Sequence, residues 1–229
     1  MLKKRKYLVV TIKDWNIEEY KQYSKEIEGE WHLITSKQEL NARAVRQIGP
    51  EYIFFLHWSW VVPKEITDNY QCVCFHMTDL PYGRGGSPLQ NLIVRGYKKT
   101  KITAFRMTQE LDAGDIYKKI ELDLSGSAQE IFVRASKKTV QLINLIVSER
   151  PTPRPQEGQV SLFDRRTSKQ SEIPKDANIS DVYDHIRMLD ADTYPRAYIN
   201  YGDYRLTFSN AKIEGDKLNA NIEMRRVDE

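Results

Sequence analysis

Residues 71–95 read QCVCFHMTDLPYGRGGSPLQNLIVR. Gln71–His76 reads as a strand, a loop containing Pro81, Gly83, Gly85 and Gly86 follows, and Pro88–Arg95 reads as a helix. The same alternation extends in both directions. Upstream, Tyr7–Ile12 is a short β-branched run suited to a buried strand, and Asn16 is placed to cap a helix running to about Ile27, with Glu18 and Glu19 in its first turn. Trp31–Ile34 then reads as a strand, Lys37–Gln47 as a helix, and Tyr52–Leu56 as a strand ending at His57. Downstream, Ile102–Met107 and Ile116–Leu122 read as strands. A long helix starts from Ser127, where Ser127 and Glu130 form a capping box and Phe132, Ala135, Val140, Ile143 and Val147 hold one apolar face. Strands alternating with helices imply an α/β fold with a doubly wound, mainly parallel, Rossmann-like sheet.

Pro151, Pro153 and Pro155 mark a stiff exit from this pattern, dividing the chain into a domain of residues 1–150 and a small C-terminal α+β, β-rich subdomain of residues 151–229. In the second part Asn178–Leu189 reads as a helix. Tyr194–Ile199, Tyr204–Ser209 and Leu218–Met224 read as antiparallel strands parted by Gly202 and Gly215.

With 40% apolar and 29% charged residues, the chain is globular in composition. Its net charge of +3 is no footprint for nucleic acid. The basic run Lys3–Lys6 flanks an apolar stretch too short for a signal core or a membrane span, so the cytoplasm and no membrane are expected. Cys72 and Cys74 share a strand face at roughly 6.5–7 Å, too far for a disulfide, and no cysteine pair has zinc spacing, so no metal is expected.

In an open α/β sheet, ligands sit beyond the carboxyl ends of the strands. His76 ends a strand there, and the glycines of the next loop can bring backbone N–H groups to a ligand. A second turn, Leu111-Asp112-Ala113-Gly114-Asp115, offers a carboxylate to pair with an imidazole in proton transfer; it is equally readable as an ordinary turn with Gly114 at positive φ. The loop matches neither glycine-rich nucleotide fingerprint.

Together, His76, Leu80, Pro81, Gly85, Pro88, Ile102, Thr103, Leu111, Asp112, Gly114 and Asp115 give this chain its resemblance to the folate-dependent formyltransferase superfamily, clearest from Tyr52 to Glu121. The resemblance implies 10-formyltetrahydrofolate as co-substrate and an Asn–His–Asp triad around the formyl carbon. His76 and Asp112 carry over; the Asn position is Cys74, so Asn91, Gln90 or Thr78 would have to supply the amide or hydroxyl donor, Asn91 first. Cys74 itself reads as an inert buried thiol, with a nucleophile paired with His76 as the alternative. The wall of the pteridine pocket falls on Trp58, Trp60, Val61 and Val62, with Met107 and Leu111 as further expected cofactor contacts.

Residues 151–229 carry 12 basic against 14 acidic side chains, a poor match to an acidic RNA. With its stretches Ser171–Pro174, Asp184–Arg187 and Tyr194–Ala197, the tail is similar to those of sugar N-formyltransferases of surface-glycan (pseudaminic-acid-type) pathways. That implies a nucleotide-linked, UDP-type 4-amino-4,6-dideoxy sugar as acceptor and no nucleic acid. Thr78, Tyr82, Arg84 and Gly85 are the expected substrate contacts, with Arg165 and Arg166 as phosphate candidates. Methionyl-tRNA is the alternative acceptor, a catalytically silent relative the alternative role, and the tail suits a homodimer interface as readily as a lid.

Overall fold

The computed structural model describes residues 4–192 and 194–227. In chain order the elements are β1 (Lys6–Thr11), α1 (Asp14–Tyr23), β2 (Glu30–Ile34), α2 (Ala42–Ile48), β3 (Tyr52–Leu56), α3 (Lys64–Asn69), β4 (Gln71–His76), β5 (Arg84–Gly85), α4 (Pro88–Val94), β6 (Lys99–Arg106), β7 (Ile116–Asp123), α5 (Ala128–Glu149), β8 (Leu162–Phe163), α6 (Ile179–Arg187), β9 (Ala197–Tyr201), β10 (Tyr204–Glu214) and β11 (Lys217–Arg226). They form two compact units. One holds Met1–Arg84, Lys101–Leu122 and Val133–Leu162; the other holds Gly85–Thr100, Asp123–Phe132 and Phe163–Glu229.

The first unit is built on a six-stranded sheet in the order β2-β1-β3-β4-β6-β7. The pairs β1–β2, β1–β3 and β3–β4 are parallel, and β6 runs antiparallel to β4. Every residue of β3 is buried, as a strand covered on both faces requires. Leu8, Val10, Ile53, Phe55, Ile66 and Cys72 join one apolar cluster, each large side chain contributing about 1.5–3 kcal/mol by leaving water. From β1 the chain goes to β2 on one side and to β3 on the other, which opens a crevice beyond their carboxyl ends.

Local details depart from the sequence expectations. Asn16 is not the cap of α1: Lys13 holds that position, and Asn16 is 1% exposed, its Nδ2 donating to Thr11 Oγ1 at 3.0 Å. The pull of a buried hydroxyl outweighs its capping preference. The second helix starts at Ala42, not Lys37, because Asn41 accepts from Ala44 N–H, and Gly49 ends it at φ 64°. A short helix, α3, follows Pro63 in a stretch to which the sequence reading assigned no element. Both cysteines are free thiols.

In the second unit α4 carries Pro88 in its first turn, and β11-β10-β9 form an antiparallel sheet with Gly202 and Gly215 in its turns. Arg187, 3% exposed, is fully employed: it donates to Asp184 at 2.6 Å, to the Leu124 carbonyl at 2.6 Å and to the Gly126 carbonyl at 2.9 Å. Among the described residues no helix is long and apolar enough to cross a membrane.

Candidate active site

β4 delivers His76 to the carboxyl edge of the sheet, where the residue is 8% exposed. Its Nε2 lies 2.7 Å from the Gly83 carbonyl oxygen and its Nδ1 3.6 Å from Asp112 Oδ2. A carbonyl only accepts, so Nε2 carries a proton, and Nδ1 faces the carboxylate at ion-pair distance. Asp112 sits at φ 51°, in the left-handed region where a side chain is disfavoured. Gly114 is not the positive-φ residue of that turn. It is glycine because a Cβ there would lie 1.7 Å from the Arg106 carbonyl oxygen, on a turn closed by Arg106 N–H donating to Asp115 O at 2.8 Å.

The glycine-rich loop spends its backbone donors within the protein. Gly83 N–H donates to Ser161 Oγ at 2.8 Å, Arg84 N–H to Ser161 O at 3.0 Å, and Gly86 N–H to Phe163 O at 2.8 Å. These groups therefore do not cradle a ligand, contrary to the expectation placed on them. Gly85 is glycine for packing, since a Cβ would come within 2.3 Å of Phe163 O.

Other candidates are likewise committed. Asn91 cannot stand in for the missing amide: its Nδ2 donates to the carbonyls of Gly86, Ser87 and Asp164 at 3.0–3.1 Å, and its Oδ1 accepts from Arg95 at 2.8 Å. Gln90 is similarly spent on the Met188 carbonyl at 3.1 Å. Thr78 is fully buried, its hydroxyl directed at Gly83 O at 3.4 Å, so it braces the loop instead of meeting substrate. Arg84 binds Gln156 and Glu110 instead of presenting a free cation. Tyr82 is half-buried. Of the phosphate candidates, Arg165 is exposed, whereas Arg166 is half-buried with its Nη2 on the Gln170 carbonyl.

Burial, reinforced by the nearby Asp112 charge, pushes the Cys74 thiol up to about 12. It stays protonated at working pH, which removes the reason to read it as a nucleophile. His57, just beyond β3 at φ 50°, is held neutral down to about pH 4 by burial and by Lys13; its Nδ1 faces Asn16 Nδ2 at 3.2 Å.

Trp58, Val62 and Met107 pack on one apolar cluster, and the Trp58 and Trp60 rings meet edge to face at 4.8 Å. Trp60, Val61 and Leu111 are 37%, 95% and 69% exposed. Trp58 Nε1 is buried with no hydrogen-bond partner, a donor beside an aromatic wall that suits a flat heterocycle. A cleft of about 700 Å³ opens along the turn before β7, lined by Thr67, Arg106, Met107, Glu110 and Asp115; of the six expected cofactor contacts only Met107 lines it. Among the described residues no cluster of three or more His, Cys, Asp or Glu could hold a metal.

Sequence reasoning missed Gln156, Ser161 and the Asn16–His57 pair. The prolines at 151, 153 and 155 signal an extended stretch but not where its side chains land.

The formyl transferase family pattern matches residues 17–146, more than half of the chain. This chain belongs to the formyl transferase family. The pattern described as the C-terminal domain of methionyl-tRNA formyltransferase matches residues 168–225. A solved structure described as methionyl-tRNA formyltransferase from Clostridium thermocellum is 50% identical with a TM-score of 0.95, covering 97% of this chain and 100% of that one. The methionyl-tRNA formyltransferase of Bacillus cytotoxicus is 30% identical over 187 residues, 75% of this chain and 59% of that protein. The chain spans 53–62% of the length of such curated relatives. By contrast, a 4-N formyltransferase from Francisella tularensis, 18% identical with a TM-score of 0.65 over 86% of this chain and 93% of that one, shares the fold alone.

These likenesses overturn the expectation of a nucleotide-linked aminosugar acceptor, and with it the exclusion of a nucleic-acid partner. The physical reason lies in the measure used. A charge sum over residues 151–229 averages away where each cation sits, and phosphate contact depends on position.

Proposed function

We propose that this protein moves a formyl group from 10-formyltetrahydrofolate to the α-amino group of methionyl-tRNA. The observation that carries this reading is His76 paired with Asp112 at the carboxyl edge of the sheet, in a chain 50% identical to a protein of that description. Folate, when bound, supplies the formyl carbon on a nitrogen that can leave. Trp58, Trp60, Val61, Val62, Met107 and Leu111 are the side chains that would hold its flat ring system; Trp58 Nε1 supports the fit.

The reaction needs a neutral attacking amine, donors for the developing oxyanion and a proton for the departing nitrogen. His76 holds one proton on Nε2 against Gly83 O. A second proton, arriving at Nδ1, would face Asp112. The ring can thus accept the proton that the attacking amine loses and pass it to the departing folate nitrogen, with Asp112 fixing its orientation. With the Cys74 thiol pushed up by burial, direct attack by the amine is the route this reading takes. On this reading the catalytic pair lies in the unit built on Met1–Arg84, Lys101–Leu122 and Val133–Leu162, so the catalytic part runs past residue 150 and the small subdomain is the rest of 151–229.

Incubation with 10-formyltetrahydrofolate and methionyl-tRNA, followed by mass spectrometry of the released aminoacyl group, tests the reading. Wild type should add one formyl group, and His76→Ala should be slower by about 10²–10⁴-fold. Folate binding without transfer would identify a silent relative, and formylation that survives His76→Ala would remove His76 from the mechanism.

A further inference from the structure

Beyond the proline run, residues 154–161 lie along both loops that form the candidate site. Arg154 anchors the segment on the first residue of β7, its N–H donating to Ile116 O at 2.9 Å and its carbonyl accepting from Ile116 N–H at 2.7 Å. Gln156 then reaches two ways. Its Nε2 donates to the carbonyls of Asp112 at 2.8 Å and Gly114 at 2.9 Å. Its Oε1 accepts from Arg84 Nε and Nη2 at 3.1 and 2.9 Å. Five residues on, Ser161 holds Gly83 N–H on its hydroxyl, and Gly83 is the residue whose carbonyl engages His76. Arg84 Nη1 adds a second link to Glu110, on the Asp112 side, at 3.3 Å.

We propose that Gln156 is a positioning residue that sets the distance between His76 and Asp112 by tying their two loops together. The proposal rests on reading His76 and Asp112 as the catalytic pair. A side-chain amide is suited to such a tie, because two N–H donors serve two carbonyls while the oxygen serves a guanidinium, and no charged side chain offers both. Asp112 gains from such a hold, because its φ of 51° lies in the left-handed region, which Asp enters more readily than most residues but seldom. Gln156 fixes the carbonyls of Asp112 and Gly114, both ends of the strained step. The Arg84 guanidinium, 12% exposed, is thereby a strut of the same frame.

Gln156→Glu is nearly isosteric and keeps an oxygen for Arg84, but turns carboxylate oxygens toward two carbonyls. It should lower kcat by about 10–10²-fold, the effect of a displacement near 1 Å at a reacting group, with KM for both substrates little changed. Gln156→Leu should act in the same direction, and Arg84→Met, which leaves the two carbonyl bonds in place, should cost less. Because Gln156 acts through Asp112, combining Gln156→Glu with Asp112→Asn should cost less than the product of the single effects. Hydrogen exchange of residues 108–116 should quicken in Gln156→Glu while that of β4 stays as in wild type. Unchanged kcat, a rise in KM alone, additivity with Asp112→Asn, or unaltered exchange in 108–116 would each overturn the proposal. A wild type without turnover on methionyl-tRNA would count against the reaction assigned above, and the exchange of residues 108–116 would then decide the strap by itself.

Discussion

Replacing Gly114 with alanine isolates the backbone requirement of the Asp112 turn. The added Cβ would lie 1.7 Å from the Arg106 carbonyl oxygen, an atom of the sheet that cannot swing aside. Bringing that contact to the 3.0 Å below which Cβ atoms essentially never approach demands a movement of about 1.3 Å, and the turn, not β6, must supply it. Asp112 lies two residues away on the same turn, so its carboxylate shifts by a comparable amount relative to His76. A misplacement of about 1 Å costs on the order of 10²-fold in rate, or about 2.7 kcal/mol of barrier. The fold should feel the change too: strain confined to one turn costs about 1–3 kcal/mol, a drop in Tm of roughly 2–12 °C for a chain of this size. Initial rates of formyl transfer, measured beside thermal melting on the same preparation, separate the two effects. Gly114→Ala with wild-type kcat would refute the view that this close approach holds the acid–base pair, however much the melting temperature moved.

Two further outcomes follow from buried titratable groups. Cys74, its thiol pushed up to about 12 by burial and then by Asp112, should resist iodoacetamide at pH 8 in the folded protein, and Cys74→Ser should keep turnover within about threefold, since no thiolate takes part; a loss beyond about 10²-fold would restore the nucleophile reading. His57 binds its proton only near pH 4 in the folded state but near 6.5 when unfolded, so stability should fall as pH drops through that window, by at most about 3 kcal/mol, and the loss should be complete below about pH 4. Urea unfolding at pH 7 and pH 4.5 should show a smaller difference in His57→Gln than in wild type, and equal differences would argue against a buried neutral ring.

The strands of the first unit, the long helix from Ser127 and the hairpin turns at Gly202 and Gly215 are all legible in the sequence, because each depends on side-chain periodicity or on a residue required within a few positions of itself. His76 and Asp112 could be paired at that level only because the loop residues around them carry a family's spacing. The acceptor could not: a charge total holds no positions. Tertiary structure alone decided how the polar groups are spent. Asn16 left its cap for Thr11, Asn91 went to three backbone carbonyls, and the glycine-loop amides went to Ser161 and Phe163. Gln156 reaches across 44 residues to Asp112 and 72 to Arg84. No local pattern encodes such a contact, since a buried hydrogen-bonding group is satisfied by whatever donor or acceptor folding brings within about 3 Å, and that neighbour is fixed only when the sheet has assembled.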